Sequence, residues 1–99
     1  MYRIIDKRGT GKTARLMLLA KETGATIVCI NPRAMRVKAQ AYGFNDLDFC
    51  SYGEFCENIK SNNCNKVLID EIECLFNYMS NNKIIGYSLS LEDQYGHSF

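Results

Sequence analysis

Apolar residues along the chain alternate between short continuous runs and stretches with helical spacing. Three continuous runs predict buried strands, at residues 2–5, 25–30 and 66–69. Four stretches with apolar residues three or four positions apart predict helices, at residues 12–23, 32–42, 52–60 and 72–79. Alternating positions near 48–50 and the run at 83–90 predict two further strands.

The residues at the ends of these stretches have the chemistry that begins and ends helices. Gly24 and Gly43 follow the first two helical stretches, where glycine tolerates the left-handed backbone of a helix end. Asn31 precedes Pro32, an order that suits an N-cap and the first helical position. The segment Ser51–Glu54 fits the capping box, in which the serine and glutamate side chains bond each other's backbone N–H.

Strands that alternate with helices predict an α/β fold. We expect a three-layer sandwich with a mainly parallel sheet of about five strands and helices on both faces. The length of 99 residues fits one domain. We assign the domain to residues 1–90 and a polar C-terminal tail to residues 91–99.

Composition places the chain among ordinary folded proteins, with 46% hydrophobic and 23% charged residues. No apolar run reaches the ~20 residues of a membrane helix, so no membrane partner is expected. Charges at Arg3, Asp6, Lys7 and Arg8 argue against a signal peptide, which favours a cytoplasmic location. Five cysteines without a C-x-x-C pair and a single histidine predict reduced thiols rather than a zinc site.

Charge is distributed unevenly, because residues 1–50 are basic and residues 51–99 are acidic. The basic half suits the phosphates of a nucleotide or of a nucleic acid. Tyr42, Phe44 and Tyr52 are candidates for stacking on a single-stranded nucleic acid. Two alternatives stay open: folding can mix both halves over one surface, and these aromatic rings can belong to the core.

The segment Gly9-Thr10-Gly11-Lys12-Thr13 lies between the first predicted strand and the first predicted helix, as a phosphate-binding loop does. Its glycines let backbone N–H groups turn towards phosphate oxygens. Lys12 would reach the β- and γ-phosphates, and the Thr13 hydroxyl would bind Mg²⁺. Asp6 replaces the first glycine of the G-x-x-x-x-G-K-[ST] pattern. The predicted nucleotide-binding set is Lys7, Arg8, Gly9, Thr10, Gly11, Lys12, Thr13 and Ala14.

A second motif follows the strand predicted at residues 66–69, where Asp70 and Glu71 stand at its carboxyl end. Asp70 would hold Mg²⁺ together with Thr13, and Glu71 would orient or deprotonate the attacking water. Lys12 and Glu71 are therefore the predicted catalytic residues. The alternative is a solvated acidic helix start, which the helix dipole favours.

Together these residues resemble the first RecA-like domain of helicases, a branch of the P-loop NTPases, over residues 2–90. They also look like small ATP-binding proteins of phages. The resemblance implies a RecA-like sheet and ATP and Mg²⁺ as cofactors. Segments 30–34 and 50–55 are similar to helicase segments that contact single-stranded nucleic acid, and Ser88 or Ser90 falls where a γ-phosphate sensor would lie.

The departures from helicases limit the function that we expect. One RecA-like domain cannot translocate along a strand by itself, and an arginine from another subunit would be needed, with Arg8, Arg33 and Arg36 as candidates. We expect ATP binding with weak Mg²⁺-dependent hydrolysis of the β–γ phosphate bond. The alternative is a non-enzymatic phage-type regulator or inhibitor that binds a larger host protein or nucleic acid. A phage origin would place it in the host cytoplasm, and oligomers are compatible with either function.

Overall fold

The computed structural model describes residues 2–4, 11–59, 66–80, 84–86, 88 and 97–98. Four helices and five short strands occur in this part of the chain. In chain order they are β1 (Tyr2–Arg3), α1 (Lys12–Thr23), β2 (Thr26–Cys29), α2 (Pro32–Ala41), β3 (Phe49–Ser51), α3 (Tyr52–Ile59), β4 (Val67–Ile69), α4 (Ile72–Met79) and β5 (His97–Ser98).

Strand β2 is the centre of a three-stranded parallel sheet with the order β3-β2-β4. Val28 of β2 is in register with Cys50 of β3 on one side and with Ile69 of β4 on the other. Strands β1 and β5 form a separate two-stranded parallel pair. Because β2, β3 and β4 all run in the same direction, their carboxyl ends meet at one edge of the sheet.

Two apolar clusters cover opposite faces of this sheet, because successive side chains of a strand point to opposite faces. Ile27 and Cys29 pack with the buried residues of α1 and α2. Val28, between them, packs with Tyr52 of α3 and Leu75 of α4. Burial on both faces explains why the β2 sequence is continuously apolar rather than alternating.

The predicted helix boundaries are confirmed by the observed hydrogen bonds. The Asn31 side chain accepts from the Ala34 N–H at 3.1 Å. Ser51 Oγ accepts from the Glu54 N–H, and Glu54 Oε1 accepts from the Ser51 N–H, both at 3.1 Å. Gly24 ends α1 with φ +74°, a left-handed conformation that glycine adopts without steric cost.

The α/β class and the parallel pairing of the strands are confirmed, but a single RecA-like sheet of about five strands is not. The strand predicted at 83–90 is wrong at its described positions, since residues 84–86 and 88 lie outside any strand. The Ile84 N–H instead donates to Asn77 Oδ1 at 3.4 Å, and Ile85 is 94% exposed. His97 and Ser98, predicted as part of a polar tail, pair with β1.

Candidate functional site

Asp70 lies directly after β4, at the carboxyl end of the three-stranded sheet. Its backbone N–H donates to the Val28 carbonyl at 2.9 Å, which continues the ladder between β4 and β2 by one residue. The crevice outside the carboxyl ends of parallel strands is where open α/β sheets bind ligands. This edge is therefore the first place to look for a functional site.

Helix α1 begins at the same edge. Only Gly24 and Ala25 separate α1 from β2, and α1 packs on β2, so the helix runs back along the strand. Its first residue, Lys12, is thereby brought to the carboxyl end of the sheet, near Asp70. The sequence predicted a site that includes Lys12 and Asp70, and their catalytic and metal-binding roles stay predictions.

Gly11 caps the N-terminus of α1 with φ +82°, a backbone angle that favours glycine. The Gly11 carbonyl accepts from the Arg15 N–H at 3.1 Å, which closes the first turn of the helix. The first-turn residues 12–14 supply the N–H groups that make a helix N-terminus attractive to phosphate. Lys7, Arg8, Gly9 and Thr10 lie outside the described residues, so their part in the loop stays a prediction.

Opposing charges act on the Asp70 carboxyl. Burial raises its pKa, and the neighbouring Glu71 carboxylate raises it further. The ammonium groups of Lys38 and Lys12 act in the opposite direction and lower it. Lys12 was among the predicted site residues, whereas Lys38, on α2, was not. No motif spacing could have identified Lys38, because its approach to Asp70 depends on how α2 packs against the sheet.

The Tyr52 side chain contacts the backbone of the acidic pair, which consists of Asp70 and Glu71. Its hydroxyl donates to the Asp70 carbonyl at 2.7 Å, with the Glu71 carbonyl as a second acceptor at 3.1 Å. The side chain is only 5% exposed, so it belongs to the core and offers no free ring face for a nucleic-acid base. Burial, followed by the charges of nearby groups, raises the pKa of Tyr52 to about 12, which keeps the hydroxyl protonated at neutral pH.

Glu71 is the one non-glycine residue with positive φ among those that the structure describes, with φ 56° and ψ 69°. It is the N-cap residue of α4, and its carbonyl accepts from the Cys74 N–H at 2.9 Å and the Leu75 N–H at 3.3 Å. Its side chain is exposed. Left-handed backbone is costly for a residue with a Cβ atom, and such positions are concentrated at functional sites.

Two of the arginines proposed to act in another subunit, and two of the aromatic rings proposed to stack on a nucleic acid, lie in α2 and the residues directly after it. Arg33 and Arg36 are exposed on α2, and the Arg36 guanidinium lies 5.3 Å from the centre of the Phe49 ring. Tyr42 is 51% exposed, whereas Phe44 packs against the core cluster of α1 and α2. The action of Arg33 and Arg36 in another subunit stays a prediction.

The remaining predicted residues are only partly described. Thr13 is half-buried in the first turn of α1, and its role as a Mg²⁺ ligand stays a prediction. Ser88 is exposed and lies outside any strand. Ser90 and Arg8 lie outside the described residues, so their roles stay predictions.

The oxygen donors at this edge fit Mg²⁺. An Asp70 carboxylate and a Thr13 hydroxyl are hard oxygen ligands, and Mg²⁺ is usually held by one or two carboxylates together with substrate phosphates. Larger clusters of three or more His, Cys, Asp or Glu side chains do not occur within the described part of the chain. The two protein oxygens therefore fit an ion that a nucleotide helps to bind.

Comparison with known proteins gives no family for this chain: no protein-family model matches it, and neither the curated proteins nor the solved structures contain a significant match. Within the described ranges, no helix is both long enough and apolar enough to cross a membrane. The fold and the site geometry are thus the grounds for assigning a function.

Proposed function

We propose that the chain binds ATP with Mg²⁺ and hydrolyses it weakly, on a RecA-like sheet that is larger than the three described central strands. The observation that carries this proposal is that α1 begins, with Lys12, at the sheet edge where Asp70 follows β4 and bonds the Val28 carbonyl. Lys12 follows the G-T-G segment, and Asp70 directly follows the parallel strand β4. A phosphate-binding lysine and a Mg²⁺-binding aspartate have this relationship in P-loop NTPases.

Each described residue has a distinct role in the proposal. The N–H groups at the start of α1 and the Lys12 ammonium bind the phosphates. Thr13 and Asp70 hold the Mg²⁺, which neutralises charge that develops on the phosphate oxygens. Lys38 adds a second positive charge near Asp70 and limits the repulsion between the two neighbouring carboxylates.

Glu71 would act on the attacking water. Its exposed carboxylate accepts a proton from the water as the water oxygen bonds to the γ-phosphorus. The bond from that phosphorus to the bridging oxygen breaks, and ADP keeps the electron pair. Full stabilisation of the transition state would need an arginine from another subunit, which is why the hydrolysis expected of the chain alone is weak.

The backbone of Glu71 favours an enzyme over a scaffold that only uses the fold. Asparagine or glycine would adopt φ 56° at lower cost, so a purely structural helix start has no need of glutamate here. A regulator that has lost its nucleotide site would be expected to replace this strained residue. In a nucleotide site the exposed Glu71 carboxylate would act on the attacking water, and this role explains why a residue with a costly left-handed backbone stands here.

Single-turnover hydrolysis of Mg²⁺–ATP tests the proposal. We expect slow phosphate release by the parent, and a Glu71→Gln variant that binds nucleotide but releases phosphate at least about 100-fold more slowly. Glu57→Gln, an exposed change on α3, is the matched control and should keep the parent rate. Equal rates for the parent and Glu71→Gln would refute the assignment of Glu71 as the base.

A further inference from the structure

We propose that Tyr52 is a positioning residue of this site: its hydroxyl holds the backbone turn at Asp70 and Glu71, so that both carboxylates stay at the carboxyl edge of the sheet. Its consequence for nucleotide binding rests on the proposed function. Tyr52 acts through the two acidic residues and does not itself touch the nucleotide.

Tyr52 is well fixed before it makes these hydrogen bonds. It is the first residue of α3, directly after β3, whose register with β2 is set by the pairing of Cys29 with Ser51. The reciprocal bonds between Ser51 and Glu54 fix the first turn of α3. The ring packs against Val28 and Leu75 in the core. The hydroxyl therefore projects from a rigid base, as a positioning group requires.

The turn at Asp70 and Glu71 has two backbone carbonyls that accept a hydrogen bond from the Tyr52 hydroxyl. The ladder between β4 and β2 ends with the Asp70 N–H, and the chain then turns directly into α4. The hydroxyl proton is directed mainly to the Asp70 carbonyl at 2.7 Å, while the Glu71 carbonyl lies at 3.1 Å. One buried hydroxyl thus contacts two successive carbonyls, of which the second belongs to the strained residue.

Loss of the Tyr52 hydroxyl would remove the hydrogen bonds to the turn at Asp70 and Glu71 and leave the packing of the ring in the core unchanged. Tyr52→Phe keeps the ring and removes one oxygen atom. Glu71 could then relax from its left-handed conformation, and both carboxylates would move with the backbone. Tyr78→Phe is the matched control, because its ring lies 5.9 Å from that of Tyr52 and is exposed. The Tyr78 hydroxyl is not among the described donors to the acidic turn.

Amide hydrogen exchange of the nucleotide-free protein tests whether the Tyr52 hydroxyl holds the backbone turn at Asp70 and Glu71. In Tyr52→Phe we expect the N–H groups of Asp70, Cys74 and Leu75 to exchange roughly three- to tenfold faster than in the parent. The N–H of the fully buried Ile27, which bonds the Asp48 carbonyl at 2.9 Å in the central strand, should change less and reports global stability. An equal change at all four amides in Tyr52→Phe, or the same local change in Tyr78→Phe, would overturn the proposal.

The Mg²⁺ dependence of nucleotide affinity tests whether this turn keeps the carboxylates at the edge of the sheet where Mg²⁺ would bind. A slowly hydrolysed ATP analogue is titrated with Mg²⁺ and with EDTA. We expect Tyr52→Phe to reduce the Mg²⁺-dependent gain in affinity about tenfold and to leave the affinity in EDTA unchanged, as loss of an outer support of a metal ligand does. An unchanged gain beside faster local exchange would make the hydroxyl merely structural and overturn the proposal.

The two possible failures are distinguishable. A parent protein that binds no analogue under either condition would contradict the proposed function. The exchange experiment would then still decide whether the Tyr52 hydroxyl holds the acidic turn, because that measurement needs no nucleotide.

Discussion

The backbone N–H of Asp70 donates to the carbonyl of Val28 at 2.9 Å, one residue beyond the end of β4. Val28 is fully buried in the central strand, so this bond connects Asp70, and with it Glu71, to the core of the sheet. The same strand receives α1 on one face and Tyr52 on the other. Several properties of the site follow from this attachment.

Stability should depend on the ionisation of Asp70. Its raised pKa means that the folded protein keeps the proton to a higher pH than the unfolded chain. The free energy of unfolding therefore falls as pH rises from the ordinary value of 3.8 through the raised pKa. We predict that Asp70→Asn, without nucleotide, is more stable than the parent at pH 7 and that the difference closes below pH 3.8.

Urea unfolding across this pH range measures the effect, with the exposed Asp48→Asn as the control. Parallel stability curves for Asp70→Asn and the parent would contradict the prediction. The same Asp70→Asn variant should lose the Mg²⁺-dependent part of nucleotide affinity, so a gain in stability would accompany a loss of function.

Two replacements of Glu71 should distinguish the effect of its left-handed backbone on stability from the effect of its carboxylate on hydrolysis. Glu71→Gly removes a steric cost of roughly 1–2 kcal/mol at φ 56°, which exceeds the roughly 0.4–1 kcal/mol that the added freedom of glycine gives the unfolded chain, so we predict a net increase of up to about 1 kcal/mol in the free energy of unfolding. Glu71→Gln keeps the Cβ and should leave stability within about 0.5 kcal/mol of the parent. Both variants should release phosphate at least about 100-fold more slowly than the parent. Denaturant unfolding decides the question, and a Glu71→Gly variant less stable than the parent would show that the conformation carries no strain.

Cys29 should be the least reactive of the described thiols. Burial, followed by the charges of Asp70 and Cys50, raises its pKa to about 11, and only the thiolate reacts quickly with alkylating reagents. Pulsed iodoacetamide labelling at pH 8, read by mass spectrometry, should modify the half-buried Cys56 and Cys74 first. Labelling of Cys29 as fast as Cys56 in the folded protein would contradict the described packing.

Local sequence patterns predicted most of the helices because their signals act over a few residues. The N-cap at Asn31 and the capping box at Ser51 and Glu54 need no tertiary partner, and both occur as predicted. The acidic pair could be placed at a strand end for the same reason. The run at 83–90 misled the prediction at its described positions, 84–86 and 88, because an apolar run forms a strand only where a neighbouring strand pairs with it.

The contacts between distant segments could not be predicted. The strand order β3-β2-β4 brings the start of α3 to the acidic pair, and no residue pattern specifies that order. Tyr52 was therefore recognised as an aromatic ring but not as a hydrogen-bond donor to Asp70 and Glu71. The left-handed backbone of Glu71 was equally hidden, because glutamate gives no local signal for positive φ.

Isothermal titration with a slowly hydrolysed ATP analogue and Mg²⁺ tests the central claim most directly. The account predicts that the parent binds and that Lys12→Ala binds at least about tenfold more weakly, since a charge-assisted hydrogen bond contributes roughly 1.5–3 kcal/mol. Lys21→Ala, an exposed change in the last turn of α1, should bind like the parent. Equal affinity of the parent and Lys12→Ala, or no binding by the parent, would contradict a nucleotide site at the start of α1.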